Sequence, residues 1–246
     1  MANWQQATVL SNHFWTDNLF SLKVELPPQN FIAGQFVKLG LDINDKRIQR
    51  AYSLVNPPNT SYAEFYLTNV ADGLLSPKLA ALQPGDSVQV SSPATGFFTL
   101  EEVPDGECLW LLSTGTGIGP FLSILGTDAP WQRFKHIVLV HAARFSADLS
   151  YQALIESMQQ QHPAQLRYIP VVSREAYEQG LNGRIPQLIQ QNELQKAANH
   201  TIDKHSQVMM CGNPDMIKEC KTLLESMGLT KNLRRQPGQI TVEQYW

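Results

Sequence analysis

The sequence predicts two domains, an N-terminal antiparallel β-barrel followed by an α/β domain built on a parallel sheet. Three observations carry that prediction. From Trp4 to about Leu100 the chain reads as short strands separated by turn residues, the pattern of a small barrel or sandwich. After Leu109 strands alternate with helices, the signature of a parallel sheet. At roughly 150 residues per domain, the length of 246 residues allows one large domain or two small ones. The boundary falls near Leu100–Cys108, giving expected domains 1–100 and 101–246.

In the first domain, Leu19–Leu26 alternates after its first pair and stops at Pro27-Pro28, which predicts a half-buried strand with a hard end. Gly34–Leu39, Arg50–Val55 and Glu64–Thr68 read as further strands. Pro84-Gly85-Asp86 is a turn leading into Ser87–Val90. Leu75, Leu79 and Leu82 recur at helical spacing, with Ser76 as a possible cap and Pro77 just inside. That helix start could receive an anion, or the helix could simply cross and plug a barrel end.

The second domain opens on L-W-L-L-S-T-G-T-G-I-G-P-F-L-S-I-L, residues 109–125. An apolar run reads as a buried strand, glycines at 115, 117 and 119 as a tight loop, and Pro120 as the first helical residue. Strand, glycine loop and helix N-terminus together aim free N–H groups at one place, where a phosphate can sit; an ordinary βα turn has the same outline. It is not the dinucleotide fingerprint, because Pro120 stands where G-x-G-x-x-G needs its last glycine. Beyond it, strands are predicted at His136–His141, Tyr168–Val172 and Val208–Cys211, and helices at Leu149–Gln161 and Ile185–Gln191. A last helix begins with Asn213 as N-cap, Pro214 first and Asp215 in the positive first turn, and ends at Gly228.

Composition bounds the function. With 43% hydrophobic and 17% charged residues the chain has the make-up of a soluble globular protein. A net charge of −3 argues against nucleic-acid binding driven by phosphate neutralisation. Cys108, Cys211 and Cys220 show no metal-ligand spacing, so no metal is expected, and their odd count suggests a reducing, cytoplasmic setting. No secretory signal and no run near the ~20 apolar residues of a membrane span are visible.

Ligands of open parallel sheets bind beyond the carboxyl ends of the strands. Those ends carry Thr114–Gly119, Arg144, Ser173-Arg174 and Cys211-Gly212-Asn213, with Arg184 entering the next helix. An NAD site would want an acid on the ribose 2′-OH. Three arginines and a serine instead match a 2′-phosphate. Two charge-assisted hydrogen bonds to that group are worth roughly two to four decades of affinity, so NADP(H) is inferred over NAD(H).

Over essentially its whole length the chain resembles the ferredoxin/flavodoxin–NADP reductase family, in its bacterial branch. The residues that carry the resemblance are Arg50-Ala51-Tyr52-Ser53 (R-x-Y-S), Gly73-Leu74-Leu75-Ser76 (G-x-x-S), Gly115–Pro120, Cys211-Gly212-Asn213-Pro214 and the terminal Tyr245-Trp246. Leu74 departs mildly, since close relatives often carry a basic residue there. The resemblance implies FAD in the barrel. Arg50 would hold its pyrophosphate with the helix start at Ser76, Tyr52 would pack on the isoalloxazine, and Ser53 would lie near flavin N5. Backbone around Tyr66 and Leu67 would line the flavin edge. Thr116 and the glycine loop with Gly117 would serve FAD and the NADP pyrophosphate. Cys211 would sit beside the nicotinamide as shape, with Gly212, Asn213 and Asp215 around the coenzyme. Tyr245 and Trp246 would stack on the cofactor, and Glu243 is a candidate for proton supply.

The implied activity is electron transfer between NADP(H) and a one-electron carrier, ferredoxin or flavodoxin, by hydride exchange at flavin N5. An acidic carrier is the expected partner, met by a basic rim at Lys231, Arg234, Arg235 and the coenzyme arginines, and a monomer is expected. The same scaffold would also suit an NAD(P)H-dependent flavin reductase or the reductase component of an oxygenase. A non-catalytic NADP sensor or flavin store is the reading from a different class.

Overall fold

A computed structural model describes residues 3–27 and 30–244. It divides into two compact units, residues 1–99 with 119–127, and residues 100–118 with 128–246. The segment Gly119–Thr127, which a single boundary near residue 100 assigns to the second half, therefore packs within the first unit.

Six strands form the first unit: β1 (Asn3–Phe14), β2 (Leu19–Glu25), β3 (Phe36–Ile43), β4 (Lys46–Ser53), β5 (Tyr62–Thr68) and β6 (Ser87–Ser92). All pairings are antiparallel, in the order β4-β3-β6-β1-β2-β5. Just past the end of β4 the two outer strands meet. The Val55 N–H donates to the Glu64 carbonyl at 2.9 Å, and Leu54 bridges Phe65. The curled sheet's two ends thus touch at this point. Phe20, Leu22 and Val24 on β2, with Phe65 on β5 and Val88 and Val90 on β6, fill the interior from alternate positions.

Two features of this unit were silent in the sequence. Central strand β1 buries few side chains, Ala7 and Val9 among them, so its alternation is weak. β3 and β4 turn through Asn44 and Asp45, both at positive φ (51° and 59°), the left-handed pair that suits a two-residue hairpin. The predicted helix shrinks to α1 (Ser76–Ala80). Ser76 does not cap it; its Oγ accepts the Val70 N–H at 3.1 Å. At the other end, Asn12 Nδ2 donates to the Leu79, Ala80 and Leu82 carbonyls at 3.0–3.1 Å. Helix α2 (Gly119–Leu125) is buried at all seven positions, and its Ser123 Oγ donates to the Asn56 carbonyl at 2.7 Å.

In the second unit β7 (Cys108–Thr114), β8 (His136–Ala143), β9 (Leu166–Val172), β10 (Leu181–Asn182), β11 (Ser206–Gly212) and β12 (Ile240–Gln244) pair in parallel, ordered β10-β9-β8-β7-β11-β12. Continuous apolar runs such as Leu109–Leu112 and Val208–Cys211 are buried, as sheets covered on both faces require. The helices are α3 (Ala129–Arg133), α4 (Gln152–Gln161), α5 (Ile185–Gln190), α6 (Glu193–Ala198) and α7 (Pro214–Ser226). α4 starts later than Leu149, because a 3₁₀ turn covers Ser146–Asp148 and Tyr151 sits at φ 63°. Strands β7 to β10 step one way and β11 returns to the other side of β7, so the strand order reverses at the carboxyl ends of β7 and β11.

Candidate active site

On the barrel, strand alternation puts Arg50 and Tyr52 on one face of β4 and Ala51 and Ser53 on the other. Arg50 is exposed, with Nη1 donating to the neighbouring Gln49 carbonyl at 2.8 Å. Among the described residues no carboxylate pairs with it. Tyr52 is half-buried, and desolvation raises its phenol pKa, partly offset by the Arg50 charge, so the ring stays neutral. Ser53 is buried. A free guanidinium two residues from a flat neutral ring fits a ligand that is anionic at one end and aromatic at the other. Tyr66 and Leu67 lie on neighbouring β5, both buried. Gly73 closes a turn by donating its N–H to the Val70 carbonyl at 2.8 Å, with Leu74 exposed (66%) and Leu75 and Ser76 buried. α1 has only five residues, so its N-terminus carries a weaker field than a full helix would.

On the sheet, the site lies where the strand order reverses. The loop after β7 is a 3₁₀ turn, Gly115–Ile118, with Thr116 and Gly117 buried, and α2 begins at Gly119, so Pro120 is its second residue. Gly117 passes so close to the end of β11 that a Cβ there would lie 2.5 Å from the Cys211 carbonyl oxygen. Gly212 has φ 128°, and a Cβ on it would run into Thr114. The Asn213 N–H donates to Thr114 Oγ1 at 2.8 Å. The two loops thus pack closely at Gly117 and are tied by a hydrogen bond from backbone to the Thr114 side chain. Cys211 is fully buried, which leaves its thiol no path to act as a nucleophile.

Asn213 caps α7 as expected, its Oδ1 accepting from the Asp215 and Met216 N–H groups at 2.9 and 3.1 Å. The Ile217 N–H goes to the Asn213 carbonyl, and Pro214 has none. Every N–H of that first turn is therefore occupied within the chain. Contrary to a simple helix-dipole reading, the turn at Asn213–Asp215 offers a ligand shape and side chains but no free backbone donors.

Arg144, Arg174 and Arg184 are all exposed and follow β8, β9 and β10, three adjacent strands. The Ser173 and Arg174 N–H groups donate to the Ala143 and Arg144 carbonyls at 3.1 and 2.9 Å, and the Gly183 N–H to the Val172 carbonyl at 2.9 Å. Glu175 Oε1 accepts the Ser146 N–H at 2.6 Å, and hydrogen bonding from the Ser146 side chain, with this backbone bond, lowers the Glu175 pKa. Arg184 pairs with Glu219 at 2.9 Å, which a bound phosphate would have to share or displace.

Glu243 on β12 stands in register with Cys211, so the structure brings these two together. Tyr245 and Trp246 lie outside the described residues. Of the basic rim, Lys231 and Arg235 are exposed, whereas Arg234 is held by Glu102 through an Nη2–Oε1 bond at 2.6 Å and two further bonds from Nε. That bonding and charge lower the Glu102 pKa, and the pair contributes no net positive charge to the rim. Among the described residues no cluster of His, Cys, Asp and Glu could hold a metal, and no helix is long and apolar enough to cross a membrane. One residue carries no signal in the sequence: fully buried His141 on β8, whose Nε2 lies 3.1 Å from the Gly115 carbonyl oxygen.

The oxidoreductase FAD-binding domain family matches residues 6–98, and the oxidoreductase NAD-binding domain family matches residues 111–222. The chain is 53% identical to a flavodoxin/ferredoxin–NADP reductase of Shigella flexneri and 52% identical to one of Escherichia coli (strain K12), covering 100% of both chains in each case. Among solved structures it is similar to a ferredoxin NADP+ reductase from Neisseria gonorrhoeae with bound FAD and NADP (TM-score 0.95, 33% identity, 100% of both chains).

Proposed function

The chain belongs to the flavodoxin/ferredoxin–NADP reductase family, and from that premise we propose how its residues divide the work. It is an oxidoreductase that uses FAD and NADP(H) and exchanges electrons with ferredoxin or flavodoxin. The chemistry FAD supplies when bound is the conversion between a hydride pair and single electrons. Residues 1–100 serve FAD and 101–246 serve NADP(H), with Gly119–Thr127 built into the FAD unit.

Arg50 neutralises the FAD pyrophosphate together with the turn Gly73–Ser76. Tyr52 packs its neutral ring on the flavin, and Ser53 presents its hydroxyl near N5, while Tyr66 and Leu67 line the edge. Thr116 completes the flavin site, and Gly117 gives the coenzyme pyrophosphate close approach to backbone. Arg144, Ser173, Arg174 and Arg184 recognise the 2′-phosphate. Buried Cys211 with Gly212, Asn213 and Asp215 shapes the nicotinamide pocket, and Glu243, beside Cys211 in register, supplies protons. Tyr245 and Trp246 stack on the cofactor. An acidic carrier docks on Lys231, Arg235 and the coenzyme arginines. The protein works as a cytoplasmic monomer and binds no nucleic acid.

The observation that carries the coenzyme choice is the run of arginines on three adjacent strand ends. Stopped-flow reduction of the bound flavin tests it. The purified protein is expected to hold one FAD, to be reduced faster by NADPH than NADH, and to be reoxidised by ferredoxin or flavodoxin. Arg174→Ala with Arg184→Ala should raise the NADPH Michaelis constant by roughly two to four decades and spare NADH. A colourless protein unable to take up FAD, or equal losses for both coenzymes, would overturn the reading.

A further inference from the structure

We infer that His141 is a positioning residue for the reaction: its imidazole fixes the Gly115–Thr116 peptide and so sets the glycine loop that receives the coenzyme pyrophosphate. The inference rests on the proposed assignment of that loop to the coenzyme.

His141 lies in β8 with no solvent exposure, in register with Ser113 on β7 and Pro170 on β9. Its Nε2 is 3.1 Å from the Gly115 carbonyl oxygen, and its Nδ1 is buried without a partner among the described residues. The tautomer follows from chemistry. A carbonyl oxygen only accepts, so the proton is on Nε2, and Nδ1 is a bare acceptor. Burial holds the imidazole pKa down to about 4, so the ring is neutral at pH 7 and has this one N–H to give.

A buried ring with one unsatisfied nitrogen is a costly choice for core packing alone, since an apolar side chain of similar size would avoid the orphaned acceptor. What the ring gains is control of one peptide plane. In a trans peptide the C=O and the following N–H point in opposite directions. With the Gly115 carbonyl turned onto His141, the Thr116 N–H must point away from the sheet interior. Gly115 has φ 52°, which permits this turn, and a Cβ on it would meet nothing within 4 Å, so the space beside it is open. Thr116 is among the first residues of the 3₁₀ turn, whose leading N–H groups have no partner within the turn. Orienting such a donor before the ligand arrives reduces the ordering that binding must supply.

The test uses three variants of the FAD-loaded enzyme, scored by KM and kcat with NADPH and with NADH, and by thermal midpoint. His141→Leu removes the donor at similar volume. His141→Gln places an amide N–H where Nε2 stands. His141→Asn carries the same amide too short to reach Gly115. His141→Leu and His141→Asn should raise KM about tenfold for both coenzymes, the loss of one hydrogen bond's worth of preorganisation. Bound FAD should be retained, and His141→Gln should stay within about twofold of the parent. If the Leu variant fails to fold, the Gln and Asn pair alone decides. Unchanged KM in His141→Asn, or equal losses in Gln and Asn, overturns the inference, as does a loss confined to NADPH. The double arginine variant separates the positioning role from the coenzyme assignment beneath it. Its selective effect on NADPH beside unaffected histidine variants would sink the positioning role alone, whereas no selectivity there would sink the coenzyme assignment.

Discussion

The two units prepare for their ligands in opposite ways. On the barrel, two of the side chains expected to meet FAD stand at the surface: Arg50 donates to the neighbouring Gln49 carbonyl and Leu74 is exposed. On the sheet, the corresponding groups already hold one another. Gly117 abuts the Cys211 backbone, Thr114 accepts from Asn213, His141 engages Gly115 and Arg184 pairs with Glu219. The contrast suits the two jobs. A resident cofactor can complete its own site once and stay. A coenzyme that comes and goes on every turnover gains from a site that is ordered beforehand.

The contrast can be broken most directly at matched glycines. Gly117→Ala sets a Cβ 2.5 Å from a carbonyl of another strand, with no flexible atom to yield. It should cost about 3 kcal/mol or more and lower the apparent melting point by roughly 6–12 °C. Gly73→Ala, whose Cβ would stand 3.0 Å from Ser76 Oγ and the Val70 carbonyl, should cost about 1 kcal/mol. Equal shifts in the two variants would remove the distinction between a joined sheet site and an open barrel site.

A second, smaller effect is the acid sensitivity that His141 imposes on the sheet unit. Its folded-state pKa of about 4 lies below the ordinary 6.5. Between those values the unfolded chain binds a proton that the folded chain refuses. Stability is therefore full above pH 6.5 and declines as pH falls toward 4, by on the order of 3 kcal/mol at about 1.4 kcal/mol per unit. Urea midpoints at pH 7 and 4.5 should fall further for the parent than for His141→Leu; parallel losses would show that the ring titrates normally.

Smallest is Leu74→Arg. The side chain is exposed, so the change is expected to leave stability unaltered, and a guanidinium there should tighten FAD binding up to about tenfold at low salt. Titrating FAD into the deflavinated protein measures it, and no change would mean that the pyrophosphate lies out of reach of this turn.

Much of this architecture was legible because its signals are local. R-x-Y-S, the glycine loop and the arginines after β8, β9 and β10 are contiguous in sequence or fall at strand ends that apolar runs reveal. The same holds for Asn213 before Pro214, whose capping geometry is dictated by adjacent residues. What escaped was set by partners far away in the chain. β1 and β12 carry too few buried side chains to announce themselves and owe their pairing to β2, β6 and β11. His141 looks like one more strand residue until the fold brings Gly115 to it. Arg234 reads as a free cation, but Glu102, distant in sequence, holds it.

Helix α2 limits how such enzymes can be recombined. Its residues follow the glycine loop in sequence but complete the unit that begins at the N-terminus. Cutting near residue 100 therefore does not release a whole folding module. A chimera that exchanged only the first hundred residues between two relatives would pair one parent's Asn56 and Val55 surface with the other's Gly119–Thr127 segment, so a clean exchange needs two crossovers rather than one.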